Sequence, residues 1–223
     1  MITILAPIIA VILGYFVVLV LKPNQPKHLK LLLAFSGAFL LSVTVFDFLP
    51  EVFSMQNKRI GLFIMIGILL QIILEFFSKG AEHGHVHISK TSTNFPWLLF
   101  ISLSIHSVLE GLPIEGHSHL LYGIIIHKLP IAIILSTFFL KSNLSKVRSF
   151  AFLMLFAFMT PIGVILSQQF EFFKTYYYEI SALVIGIFLH ISTTILFESN
   201  EGHTFNFTKL MTIIIATVLA YFI

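Results

Sequence analysis

The chain has 223 residues, of which 57% are hydrophobic and only 10% charged, with a formal net charge of +3. A soluble domain carries about 25% charged residues, so a single soluble core is excluded and a lipid-facing helical bundle is expected. Cysteine is absent, which excludes disulfides, thiolate zinc sites and iron–sulfur clusters and leaves imidazole, carboxylate and weaker ligands for any metal.

Apolar runs occupy residues 2–21, 31–54, 60–77, 97–115, 120–140, 149–169, 177–197 and 207–223. A membrane-crossing helix needs roughly 20 apolar residues, so eight helices are expected, the fourth and the last being the shortest. The first run lacks a basic leader and a small-residue cleavage site, and reads as a span rather than a signal peptide. The fold class expected is an all-α integral membrane protein, with residues 1–223 forming one transmembrane domain.

The second run ends in Phe46-Asp47-Phe48-Leu49-Pro50-Glu51, which places two carboxylates, Asp47 and Glu51, at one end of the bundle. Between the third and fourth runs the chain reads Glu82-His83-Gly84-His85-Val86-His87. Alternating histidines in a loop suit weak, exchangeable metal binding, and equally an ordinary polar connector.

The fourth run carries His106-Ser107-Val108-Leu109-Glu110-Gly111, with His106 and Glu110 four apart on one helix face. The turn after it holds Glu115, His117 and His119, and the fifth run carries His127-Lys128-Leu129-Pro130. His106 lies roughly 14 Å and His127 roughly 11 Å from the ends of their antiparallel helices, so these groups meet near the middle of a core about 30 Å thick. Ionisable groups at that depth are expensive and face a protein interior or a water-filled path. Two imidazoles and a carboxylate suffice for zinc with a water in the fourth position, and suit Fe(II) or Mn(II) as well. The same spacing also suits a hydrogen-bonded His–Glu–Lys cluster that only ties two helices together. Pro113 and Pro130 each remove a helix hydrogen bond and favour a kink. Farther on, His190 lies inside the seventh run and needs a partner. One weak internal echo links Gly37-Ala38-Phe39-Leu40 to Gly186-Ile187-Phe188-Leu189, in runs of opposite direction, as an inverted repeat requires.

Basic residues set the orientation. Lys22, Lys27, Lys30, Lys79, Lys90, Lys141, Lys146, Arg148 and Lys209 fall on one side, and only Lys58, Arg59 and Lys174 on the other. The richer side is expected in the cytoplasm, with both termini outside. These cations are topology signals, not a nucleic-acid surface.

Taken in order, the motifs resemble those of the ZIP family of divalent metal transporters. The family's fourth helix carries His-Asn-x-x-Asp/Glu-Gly, answered here by His106-Ser107-Val108-Leu109-Glu110-Gly111. Its fifth carries His-Glu-x-Pro-His/Glu, answered by His127-Lys128-Leu129-Pro130-Ile131, and its second helix ends in a His-Leu-Leu-Pro-Glu-like run, answered by Asp47-Phe48-Leu49-Pro50-Glu51. The resemblance implies eight helices with inverted repeats around helices 4 and 5. It implies sliding of helices 1, 4, 5 and 6 against the rest, and import of zinc, iron or manganese across a cell (plasma or inner) membrane. It keeps His106, Glu110 and His127 as metal ligands, while the polar residues themselves are read as marking a pathway through Asp47, Glu51, Ser107, Glu115, His117, His119, Lys128 and His190, with ion capture by His83, His85 and His87. The divalent ion is cargo rather than a prosthetic group, the lipid bilayer is the surrounding, no nucleic acid is involved, and a homodimer is left open.

The departures are equally specific. Ser107 stands where the family has Asn, Lys128 where it has a carboxylate, and Ile131 where it has a shared His or Glu. A second metal position is therefore expected to be lost, with the Lys128 ammonium in its place and paired to Glu110. Two other functions stay open: an intramembrane metal-dependent hydrolase, and a non-transporting metal sensor.

Overall fold

The computed structural model describes residues 1–21, 26–54, 58–80, 95–115, 118–198 and 207–223. His83, His85, His87 and His117 lie outside the described residues, as do Lys22 and Lys90. The helices are α1 (Ile2–Leu21), α2 (Pro26–Val43), a π turn (Thr44–Phe48) running into α3 (Leu49–Phe53), α4 (Ile60–Ser78), α5 (Trp97–Gly111), α6 (Ser118–Lys141), α7 (Lys146–Gln169), α8 (Glu171–Thr175), α9 (Tyr177–Glu198) and α10 (Phe207–Tyr221). No strand occurs among the described residues.

Six of the helical stretches are long and apolar enough to cross a membrane: Ile2–Leu21, His28–Phe53, Ile60–Ser78, His119–Leu140, Lys146–Gln169 and Tyr177–Phe197. Of the remaining helices, α8 has 5 residues, and α5 and α10 have 15 each. That is about 22 Å of helix at 1.5 Å per residue, short of the hydrocarbon thickness. Among the described residues, the expected eight spans correspond to six stretches of full length and two shorter apolar helices. Pro113 explains α5. It was expected to kink a longer helix, but the helix stops at Gly111 and Pro113 sits in the following turn. Leu112 still has helical backbone angles and its N–H bonds the Leu109 carbonyl, but Pro113 has no N–H with which to continue the ladder. Pro130, by contrast, lies inside α6. Large apolar side chains remain exposed along most helices, among them Phe76 at 77% and Leu62 at 60%, the pattern of surfaces that lipid covers.

The helices pack as two groups joined by contacts as extensive as some within them. α1 lies on α6 and α7, and α5 lies on α7. In the other group α4 lies on α9, and α2 on α9 and α10. The contacts of α2 with α6 and of α4 with α5 join the groups. Glycines make the closest approaches. A Cβ on Gly67 would strike the Leu183 carbonyl, and one on Gly186 the Ile64 carbonyl, so α4 and α9 touch backbone to backbone. Gly37, the counterpart of Gly186 in the internal echo, is itself pressed against Ile195 of α9. Small residues at such points are how helices associate where lipid removes any hydrophobic drive.

Candidate functional site

The site is built by α5, α6 and α7. On α5 the buried positions are Leu99, Ser102, Leu103, His106, Ser107, Glu110 and Gly111, a stripe at three- and four-residue spacing. Leu98, Ile101 and Ile105 of the same helix are exposed. The apolar residues therefore face outward and the polar ones inward, the reverse of a soluble helix. Gly111 and Gly163 set the register of α5 on α7. A Cβ on Gly111 would collide with the Thr160 carbonyl, and one on Gly163 with the Val108 carbonyl. This contact brings Thr160 of α7 beside Glu110.

Glu110 is fully buried and is the hub. Its Oε1 accepts from Lys128 Nζ at 2.5 Å and from Thr160 Oγ1 at 2.7 Å. Lys128 also donates to Ser107 Oγ at 3.0 Å, and its ammonium lies 4.6 Å from the centre of the Phe156 ring. The expected pairing of Lys128 with Glu110 is thus what the structure contains. The other oxygen, Oε2, has no hydrogen bond among the described residues and lies 3.4 Å from His106 Nε2. The His106 and His127 ring centres are 6.4 Å apart. His106, Glu110, His127 and Lys128, with Ser107, Leu103, Ile131 and Phe156, line one cavity of about 10 Å³. That is roughly the room one water needs.

The geometry can be tested against a metal ion. Two ligands on a tetrahedral zinc with bonds of about 2.0–2.1 Å are separated by roughly 3.3 Å. The 3.4 Å between His106 Nε2 and Glu110 Oε2 matches that spacing. His127 shares the cavity, yet among the described residues no three His, Asp or Glu side chains form a ready metal cage. His106 and Glu110 stand at that spacing, and His127 lines the wall of the same cavity. The obstacle is Lys128: a divalent ion about 4 Å from its ammonium meets a repulsion of roughly 8 kcal/mol at an effective dielectric of 20. A divalent ion in this cavity would meet that repulsion for as long as Lys128 stays on Glu110.

The remaining expected residues lie elsewhere. Asp47 Oδ2 and His119 Nδ1 are 3.2 Å apart and half exposed. Asp47 sits in the π turn, an irregularity that often marks functional positions. Glu115 accepts from Gln168 Nε2 at 3.1 Å, and Glu51 is partly buried in α3. These four share the end of the bundle where α5 stops and α6 starts. His190 finds its partner at the opposite end of α4, where its Nε2 lies 2.6 Å from Glu75 Oε2. This pair opens on a cavity of about 850 Å³. Thr160, Phe156, Glu75 and Gln168 were not foreseen. Glu75 alone had a signal, as the one carboxylate inside the third apolar run. Compared with known proteins, the chain matches no family model and no curated protein.

Proposed function

We propose that this chain carries a divalent metal cation, zinc or else iron(II) or manganese(II), into the cytoplasm through the cavity bounded by His106, Glu110 and His127. The observation that carries the reading is the His106–Glu110 pair, buried in the last turns of α5 and held 3.4 Å apart, with Oε2 left for an incoming ion. Buried unpaired carboxylate oxygens are costly, and a cation is the ligand they suit.

Lys128 acts as a tethered cation that keeps Glu110 ionised while no metal is bound. Ser107 and the Phe156 face give its ammonium secondary contacts, from which it swings clear as an ion arrives. Asp47 and His119 serve as an outer collecting pair, with both termini outside in a plasma or inner membrane. The two packing groups, α1 with α5, α6 and α7 against α2 with α4, α9 and α10, are those that a sliding mechanism of the ZIP type would move. The test is zinc uptake into proteoliposomes holding the full chain. Uptake is expected in the parent and not in Glu110→Gln. Saturable zinc binding without uptake in the parent would replace transport by sensing, a second reading that the Lys128–Glu110 ion pair itself favours, since it closes the site.

A further inference from the structure

Hydroxyls on these helices usually bond to their own helix. Ser42 donates to the Ala38 carbonyl at 2.8 Å, Thr44 to Leu40 at 2.7 Å, Thr193 to Leu189 at 2.6 Å, and Thr194 to His190 at 2.8 Å. That is the default where no water is at hand. Thr160 departs from it. Its hydroxyl is fully buried and donates instead across the helix interface to Glu110 Oε1 at 2.7 Å. The close glycine contact of α5 on α7 holds it there.

We propose that Thr160 is a positioning and specificity-determining residue: by holding Oε1 it makes Glu110 offer a cation Oε2 alone. The proposal rests on the reading of this cavity as a cation site. Lys128 and Thr160 both bond Oε1, on the side away from His106. When Lys128 withdraws before an incoming ion, the neutral hydroxyl of Thr160 stays, because it is not repelled. The hydrogen bond then opposes a turn of the carboxylate that would chelate with both oxygens. One-oxygen ligation beside imidazole suits a small four-coordinate ion such as zinc. Larger, oxygen-preferring ions such as Mn(II) gain more from two-oxygen ligation. Thr160 therefore biases the site toward zinc.

The experiment uses the detergent-purified full chain with Co(II) as a spectroscopic probe, and zinc and Mn(II) in competition. Infrared carboxylate bands are assigned by their loss in Glu110→Gln. Thr160→Val should lower zinc affinity about tenfold, the scale of one hydrogen bond to a charged group. It should also narrow the zinc-to-manganese preference, weaken the intense visible bands of four-coordinate cobalt, and reduce the splitting of the Glu110 carboxylate stretches. Thr160→Ser should restore all four. Where the valine variant does not fold, Thr160→Cys, a weak donor of similar size, takes its place. Parent-like cobalt spectra, carboxylate splitting and metal preference in Thr160→Val overturn the positioning role alone. A parent chain that binds neither cobalt nor zinc overturns the cation site, and this role with it.

Discussion

The molecule contains two His–Glu pairs, and they differ in what surrounds the carboxylate. His190 and Glu75 come from different helices, are about one-fifth exposed, and close to 2.6 Å. His106 and Glu110 lie one turn apart on α5, are almost completely buried, and stand 3.4 Å apart. Burial alone would favour the tighter pair in the drier place, because an unmet polar group costs more there. The opposite is found. Lys128 and Thr160 draw the Glu110 carboxylate toward α6 and α7 through Oε1, which keeps Oε2 from closing on the imidazole. Glu75, closed onto His190, ties α4 to α9. Glu110, pulled by two other donors, keeps a 3.4 Å gap to its imidazole.

The largest effect expected from breaking this contrast is on stability. Glu110→Gln strands the Lys128 ammonium in a dry site and should destabilise the protein by about 3–5 kcal/mol. Glu75→Gln, at a partly exposed pair, should cost about 1 kcal/mol or less. Thermal unfolding in detergent ranks the two, and equal losses would remove the distinction between the pairs. Glu110→Gln combined with Lys128→Met should recover much of the loss, since no buried charge is then left alone.

Cation affinity sharpens the contrast next. Lys128→Met removes the ammonium that opposes an ion and should strengthen zinc binding at the central cavity by about 10- to 100-fold, less than the full Coulomb repulsion because Lys128 can swing aside. Calorimetry on the parent and the variant measures the change. Weaker binding in Lys128→Met would mean that the ammonium organises the site rather than guarding it. Glu75→Gln and His190→Ala should leave this affinity unchanged, because that pair lies at another level of the bundle.

How much of this could be read from residues alone depends on the range of the signal. The apolar runs placed the helices to within a few residues, because hydrocarbon forces every backbone group into an intrahelical bond. The pairing of His106 with Glu110 followed from four-residue spacing, and that of Lys128 with Glu110 from equal depth on antiparallel neighbours. Thr160 was invisible, since its role depends on Gly111 and Gly163 bringing α7 against α5, a contact between residues some fifty positions apart. Pro113 was read as a kink, yet it ended the helix, because the turn to α6 begins there. Lys209, counted as a loop cation, is instead 8% exposed in α10. Its Nζ donates to the Leu196 carbonyl at 2.6 Å, near the C-terminal end of α9, where the helix dipole favours a cation.

The smallest effect is expected at Gln71, one turn before Glu75 on α4. Its side chain is fully buried, and neither its amide nitrogen nor its oxygen has a hydrogen-bond partner among the described residues. It stands outside both patterns, being neither tie nor ion gap. An unmet amide in an apolar setting costs about 1–3 kcal/mol, whereas leucine of nearly the same volume has no polar atoms to desolvate. Gln71→Leu should therefore leave the fold intact and stabilise it by about 1 kcal/mol, read as a small rise in unfolding temperature. The same substitution probes how far the Glu75–His190 pair reaches. If Gln71→Leu instead destabilises the chain, and the loss shrinks when Glu75 is already Gln, the amide is coupled to that carboxylate one turn away. The half-exposed pair would then be the outer end of a polar chain running into the α4–α9 interface, and its contrast with the central pair would narrow.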